Sequence, residues 1–151
     1  MTIAVIRPDD WNFPLLVHVA GAMLLVGSLV TVAALFVLAW RGNSPGLIRL
    51  GFRTLLIAAL PSYVLMRVGA EWISSKENIP DEADWIGIGY ITADGGLRFL
   101  LISTILAGVA SRRAGREPGG GGRLGRVVTV LTLVVLAAYV VAVWAMTAKP
   151  S

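Results

Sequence analysis

The chain has no cysteine, one histidine and two lysines among its 151 residues. The absence of cysteine excludes disulfides, thiolate metal sites and thiol redox chemistry. A single histidine, His18, leaves one chain unable to supply bis-histidine ligation. Charge is scarce too: Asp, Glu, Lys and Arg make up 15% of the residues, where soluble proteins carry about 25%. No nucleophile, base and acid converge in a way that supports proteolysis, phosphoryl transfer or other hydrolysis. The run Pro118-Gly-Gly-Gly-Gly122 lacks the Gly-Lys-Ser/Thr and the preceding strand of a phosphate-binding loop, so no nucleotide site is expected.

What is abundant is apolar. Hydrophobic residues make up 56% of the chain, and the mean hydropathy is +0.77. Four long apolar runs predict membrane spans at 13–40, 50–73, 91–111 and 127–148. Each is near or above the roughly 20 residues needed to cross a bilayer, and the first is long enough to tilt. The expected fold is all-α, a polytopic four-transmembrane-helix bundle in one membrane domain. Arg41-Gly-Asn-Ser-Pro-Gly46 reads as a tight polar turn. Residues 74–90 read as the one sizeable loop, with apolar Trp85–Tyr90 lying at the interface. Residues 112–126 read as a glycine-rich, flexible cytoplasmic linker.

The basic residues predict orientation. Arg41, Arg49 and Arg53 flank the first connection, and Arg112, Arg113, Arg116, Arg123 and Arg126 crowd the third. The termini and the second connection hold only Arg7, Lys76 and Lys149, together with most of the acids. The positive-inside rule then places both termini outside the cytoplasm. The net charge of +4 thus reflects topology and is no sign of nucleic-acid binding. The first segment lacks a basic n-region and its apolar run is too long for an h-region, so no cleaved signal peptide is expected. Arginine outnumbers lysine 11 to 2, a composition that points to a GC-rich bacterial genome and hence to the bacterial inner membrane. Trp11, Trp72 and Trp85 would form the outer aromatic belt, with Trp144 near it and Trp40 at the inner boundary. Gly27 and Thr31, Ser103, Ala107 and Ser111, and Ala138 and Ala142 repeat at four-residue spacing. Such small-residue stripes suit close helix packing in lipid and fit a homo-oligomer or a partner within a membrane complex.

Four ionisable residues fall inside the spans. Arg67 and Glu71 are i,i+4 on span two; Asp94 and Arg98 are i,i+4 on span three. Arg67 is 14 residues from Arg53 and Arg98 is 14 from Arg112; Glu71 and Asp94 are each 18 away. At 1.5 Å per residue the arginines stand roughly 21 Å above the inner boundary and the acids roughly 27 Å. If the two faces meet, they form a neutral quartet in which each arginine reaches the acid on its own helix and the one opposite. The bland alternative makes Asp94 a helix cap in interfacial water and lets Arg67 and Glu71 snorkel outward. His18 lies 22 residues from Trp40, roughly 33 Å along a helix and just under the outer surface. Pro61, in mid-span, is expected to kink span two and open the outer half of the bundle. Ser62 and Tyr63 could satisfy the backbone groups that it frees.

The pattern Leu16-x-His18-x-x-Gly21-Ala22-x4-Gly27, with Leu60-Pro61 and Gly69 in span two, resembles the copper-resistance CopD-like proteins and related small predicted integral membrane families. The resemblance covers roughly the first 70 residues. It implies copper handling near the outer face with His18 as a ligand, although this chain lacks the further histidines such a site would want. Haem-binding four-helix membrane proteins also carry a histidine in a span, and Met66 is a candidate second ligand.

Three functions compete. The first is a transporter-like or solute-binding protein whose outer-leaflet pocket is lined by His18, Arg67, Glu71, Asp94 and Arg98. There the arginines would hold an anionic group and the acids would set charge or relay a proton. The second is a non-catalytic accessory subunit of a larger membrane complex. The third is a haem- or copper-handling redox protein using His18. Ligand binding is the preferred reading, and an enzyme is not expected.

Overall fold

The computed structural model describes residues 12–77, 84–117 and 122–148, with side chains described over 12–75, 91–117 and 122–144. Among the described residues everything outside two short turns is helical. Helix α1 is Asn12–Gly42, α2 is Pro45–Thr54, and α3 is Leu60–Glu77. A π-helical turn, Leu55–Ala59, joins α2 to α3 without a break. Helix α4 is Asp84–Ala114 and α5 is Gly122–Ala148. Among the described residues, four segments are long and apolar enough to cross a membrane: Asn12–Gly42, Pro45–Ser75, Ile91–Ala114 and Gly122–Trp144.

The first connection is tighter than expected. Asn43 adopts φ 46°, and the Ser44 amide donates back to the Ala39 carbonyl at 3.2 Å. That is a Schellman closure with asparagine in the left-handed position. Ser44 is also the N-cap of α2, and Pro45 sits in its first turn, where a missing N–H costs nothing. Helix therefore resumes at Pro45, ahead of the apolar run at 50. The expected loop 74–90 also contracts. Helix α3 runs on to Glu77 and α4 begins at Asp84, so the backbone of Trp85–Tyr90 is part of a helix and not of a loop. Helical hydrogen bonding satisfies those amides internally, as an apolar setting requires. The third connection shrinks in the same way, since α5 starts at Gly122. Trp11 and residues 118–121 lie outside the described residues, and the Trp85 side chain outside the described side chains. Trp72 rests edge-on against Phe13, ring centroids 5.9 Å apart.

Pro61 acts on the turn before it. Proline has no N–H to donate and its ring clashes with the carbonyl four residues back. The preceding turn widens to π spacing, and the Leu60 amide donates to the Leu55 carbonyl. The bundle divides at this turn. Helix α2 packs against α4, whereas α3 barely meets it. Helix α1 lies between α3 and α5, and α5 packs along α4.

Leu25, Leu29, Val32 and Phe36 form the buried stripe of α1. The Phe36 ring fills the space over Gly51, where a Cβ would come within 2.6 Å of it. The tightest crossing joins α1 to α3. A Cβ on Gly69 would stand 2.5 Å from the His18 backbone nitrogen, and one on Gly21 would stand 2.8 Å from the Met66 Cα. The expected small-residue stripes fare unevenly. Ser103, Ala107 and Ala142 are buried, Ser111 is half-buried, and Ala138, Gly27 and Thr31 are exposed.

Candidate functional site

Two exchanged contacts seat His18. Its backbone packs on Gly69, and its Nδ1 lies 2.9 Å from the Met66 carbonyl oxygen. A carbonyl only accepts, so Nδ1–H is the donor and the lone pair of the neutral ring sits on Nε2. His18 therefore pins α1 to α3. What meets it from Met66 is backbone, while the Met66 side chain belongs to the core and is 7% exposed.

Arg67 lies one residue beyond that carbonyl. Its guanidinium Nη2 is 3.1 Å from Glu71 Oε1 and 3.5 Å from Asp94 Oδ1. Span two and span three thus meet through charge, as the residue counts predict. Arg67 is the more enclosed partner at 28% exposure, against 52% for Glu71 and 61% for Asp94. One guanidinium shared by two carboxylates leaves a local charge of −1.

Arg98 departs from the expected quartet. It is exposed and makes no ion pair with a described residue. Asp94 and Arg98 share the outward side of α4 with Ile91, Ile102 and Ile105, while Leu100 and Ser103 turn inward. The capping alternative for Asp94 fails, since α4 begins at Asp84, well before it.

Two tyrosines complete the layer. The Tyr63 hydroxyl donates to the Ala93 carbonyl at 3.1 Å, so it bridges α3 to α4 and leaves its own helix unassisted. Tyr139, on α5, is 5% exposed. Its oxygen lies against Gly96, 2.5 Å from where a Cβ would stand, and finds no hydrogen-bond partner among the described residues. Ser103 and Thr132 also carry buried hydroxyls without a partner. Sequence reasoning passed over Tyr139 because it sits in an otherwise apolar run. The signal available was a phenol at mid-span in the same chain as Asp94-Gly-Gly96.

Chemically, the layer offers two exposed carboxylates, an arginine shared between them, a second exposed arginine, an imidazole with a fixed tautomer and a buried phenol. Among the described residues no three of His, Cys, Asp and Glu gather as metal ligands. A copper or haem centre here would have His18 as its one imidazole. No family model, curated protein or solved structure matches the chain.

Proposed function

We propose that the chain is a multi-pass protein of a bacterial cytoplasmic membrane, both termini outside the cytoplasm, that binds a small anion-bearing ligand between α3 and α4. Support for the membrane setting comes from four apolar helices and from the gathering of eight arginines at one end of the bundle. The observation that carries the ligand reading is the Tyr139 hydroxyl, buried beneath Gly96 without a partner. A buried unpaired hydroxyl costs about 1–3 kcal/mol, a cost that a hydrogen-bonding ligand removes. The hydroxyl lies against the buried face of α4 at Gly96, whereas Asp94 and Arg98 stand on the outward side of the same stretch, so a ligand reaches both by entering the seam where α3 and α4 scarcely touch. Arg98 takes the anionic group, and the Arg67 bridge with Glu71 and Asp94 holds the seam at its working width.

Native mass spectrometry from a mild detergent tests this. A discrete non-lipid adduct is expected, weakened about tenfold or more in Tyr139→Phe, which removes a donor to the ligand. Unchanged adduct in both Tyr139→Phe and Arg98→Gln would sink the reading.

One observation favours a second reading, the accessory subunit. Asp94, Arg98, Gly27 and Thr31 are all exposed, and ionised groups within a span ordinarily face protein or water. Co-purification with another polypeptide at fixed stoichiometry, lost on Arg98→Gln, would establish it. A monodisperse chain that binds its ligand alone would exclude it.

A further inference from the structure

The arginine-rich end holds a second site that the polar layer does not involve. Where the end of α1, the start of α2 and the start of α5 come together, they leave a cleft of about 330 Å³. Phe36, Ala39 and Ile48 form its apolar floor, and Asn43, Arg123 and Arg126 its polar rim. Trp40 lines it as well, and the Arg126 guanidinium lies 4.7 Å from the Trp40 ring centroid. That stack holds Arg126 in place ahead of any ligand.

The charge balance of this end is one-sided. Arg41, Arg49, Arg53, Arg112, Arg113 and Arg116 belong to the helix ends and connections at the same end of the bundle, and Glu117 is the one acid in these connecting stretches. Among the described residues no carboxylate lines the cleft, and neither Arg123 nor Arg126 makes an ion pair with a described residue. Two guanidiniums match the oxygens of a phosphate ester, which they hold through paired charge-assisted hydrogen bonds. The Asn43 amide can add a neutral donor. The apolar floor suits a ligand whose phosphate carries hydrocarbon.

We propose that this cleft binds the phosphate of an anionic phospholipid from the leaflet at the arginine-rich end. The assignment rests on the membrane-spanning part of the reading above and is independent of the ligand between α3 and α4. Inorganic phosphate shares the headgroup chemistry but leaves the Phe36–Ile48 floor unused. A basic pocket between spanning helices has the general character of a lipid-headgroup site.

The test places the full chain in phosphatidylcholine nanodiscs with and without phosphatidylglycerol, then counts retained lipid by native mass spectrometry. Retention of phosphatidylglycerol over phosphatidylcholine is expected. Loss of each arginine should weaken it roughly fivefold, and Arg123→Gln with Arg126→Gln about thirtyfold. Arg112→Gln with Arg113→Gln removes the same charge from the same end outside the cleft, and should leave retention unchanged. Equal losses in the two double variants would mean a diffuse basic belt and overturn the site. Displacement of the lipid by millimolar inorganic phosphate would reassign the cleft to the free anion. If the double variant aggregates, Arg123→Gln alone keeps the Trp40 stack, and no loss in it refutes the proposal. A chain that fails to enter nanodiscs refutes the membrane reading itself, whereas one that inserts and shows no lipid preference refutes only this site.

Discussion

Replacing Gly69 with alanine puts a methyl group where the backbone of α1 already stands. The new carbon would lie 2.5 Å from the His18 nitrogen, 2.7 Å from its Cα and 2.8 Å from its Cβ. None of these is the end of a flexible side chain, so the helices themselves must separate by about 1 Å to restore van der Waals contact. Overpacking of this kind costs about 1–3 kcal/mol. The separation also stretches the His18–Met66 bond, now 2.9 Å, at about 1 kcal/mol. Alanine's better helix propensity returns about 1 kcal/mol. The net loss is about 1–3 kcal/mol. On the scaling of soluble chains of this length, that lowers Tm by roughly 2–12 °C. Gly27→Ala is the matched control, because a Cβ there meets nothing within 4 Å. Thermal unfolding of both variants in one detergent, followed by intrinsic tryptophan fluorescence, checks the difference. If Gly69→Ala and Gly27→Ala melt together, α1 and α3 do not cross at these residues. The seat of His18 would then be wrong.

Two further outcomes follow from the polar layer. His18→Ala removes the tether to the Met66 carbonyl and should cost about 1–2 kcal/mol of stability; a Soret band in the wild-type protein that disappears in this variant would instead make His18 a haem ligand. Arg67→Gln leaves Glu71 and Asp94 without their shared cation. Glu71 and Asp94 are more than a third exposed, so the loss in detergent is expected to stay near 1 kcal/mol. In a bilayer it should rise toward about 3 kcal/mol, and adding Asp94→Asn should recover part of it. Equal melting of Arg67→Gln and wild type in nanodiscs would show that the bridge stabilises nothing.

Much of the architecture was legible because length and apolarity alone define a spanning segment. The meeting of Arg67 with Glu71 and Asp94 was legible too, since helical rise converts residue counts into heights. Which face of each helix turns inward was not. Leu25 is fully buried while Leu24 is 56% exposed and Met23 71%. Where lipid is as apolar as the core, composition carries no inside-outside contrast. That is why Arg98 was grouped with its neighbours and why Gly27 was read as a packing residue. The close crossing belongs instead to Gly21 and Gly69, one in the opening motif and one in span two, whose positions in sequence could not match them to each other across two helices. Tyr139 was hidden for the same reason, one phenol in a run that is apolar on every side.

The π turn at Leu55–Ala59 has a consequence for the azimuth of everything after it. A π turn accommodates about one residue more than the α turn it replaces, and one α-helical residue corresponds to about 100° of rotation and 1.5 Å of rise. Restoring α geometry across Leu55–Ala59 with every residue kept would swing Tyr63, Arg67 and Glu71 about a quarter-turn around the helix axis, whereas deleting one residue at the same time would return them to their present face. In the first case Tyr63 would leave Ala93 and Arg67 would leave Asp94, although every charged residue would remain in the chain. The angular phase of the polar layer is therefore set by a stretch that contains no polar side chain at all.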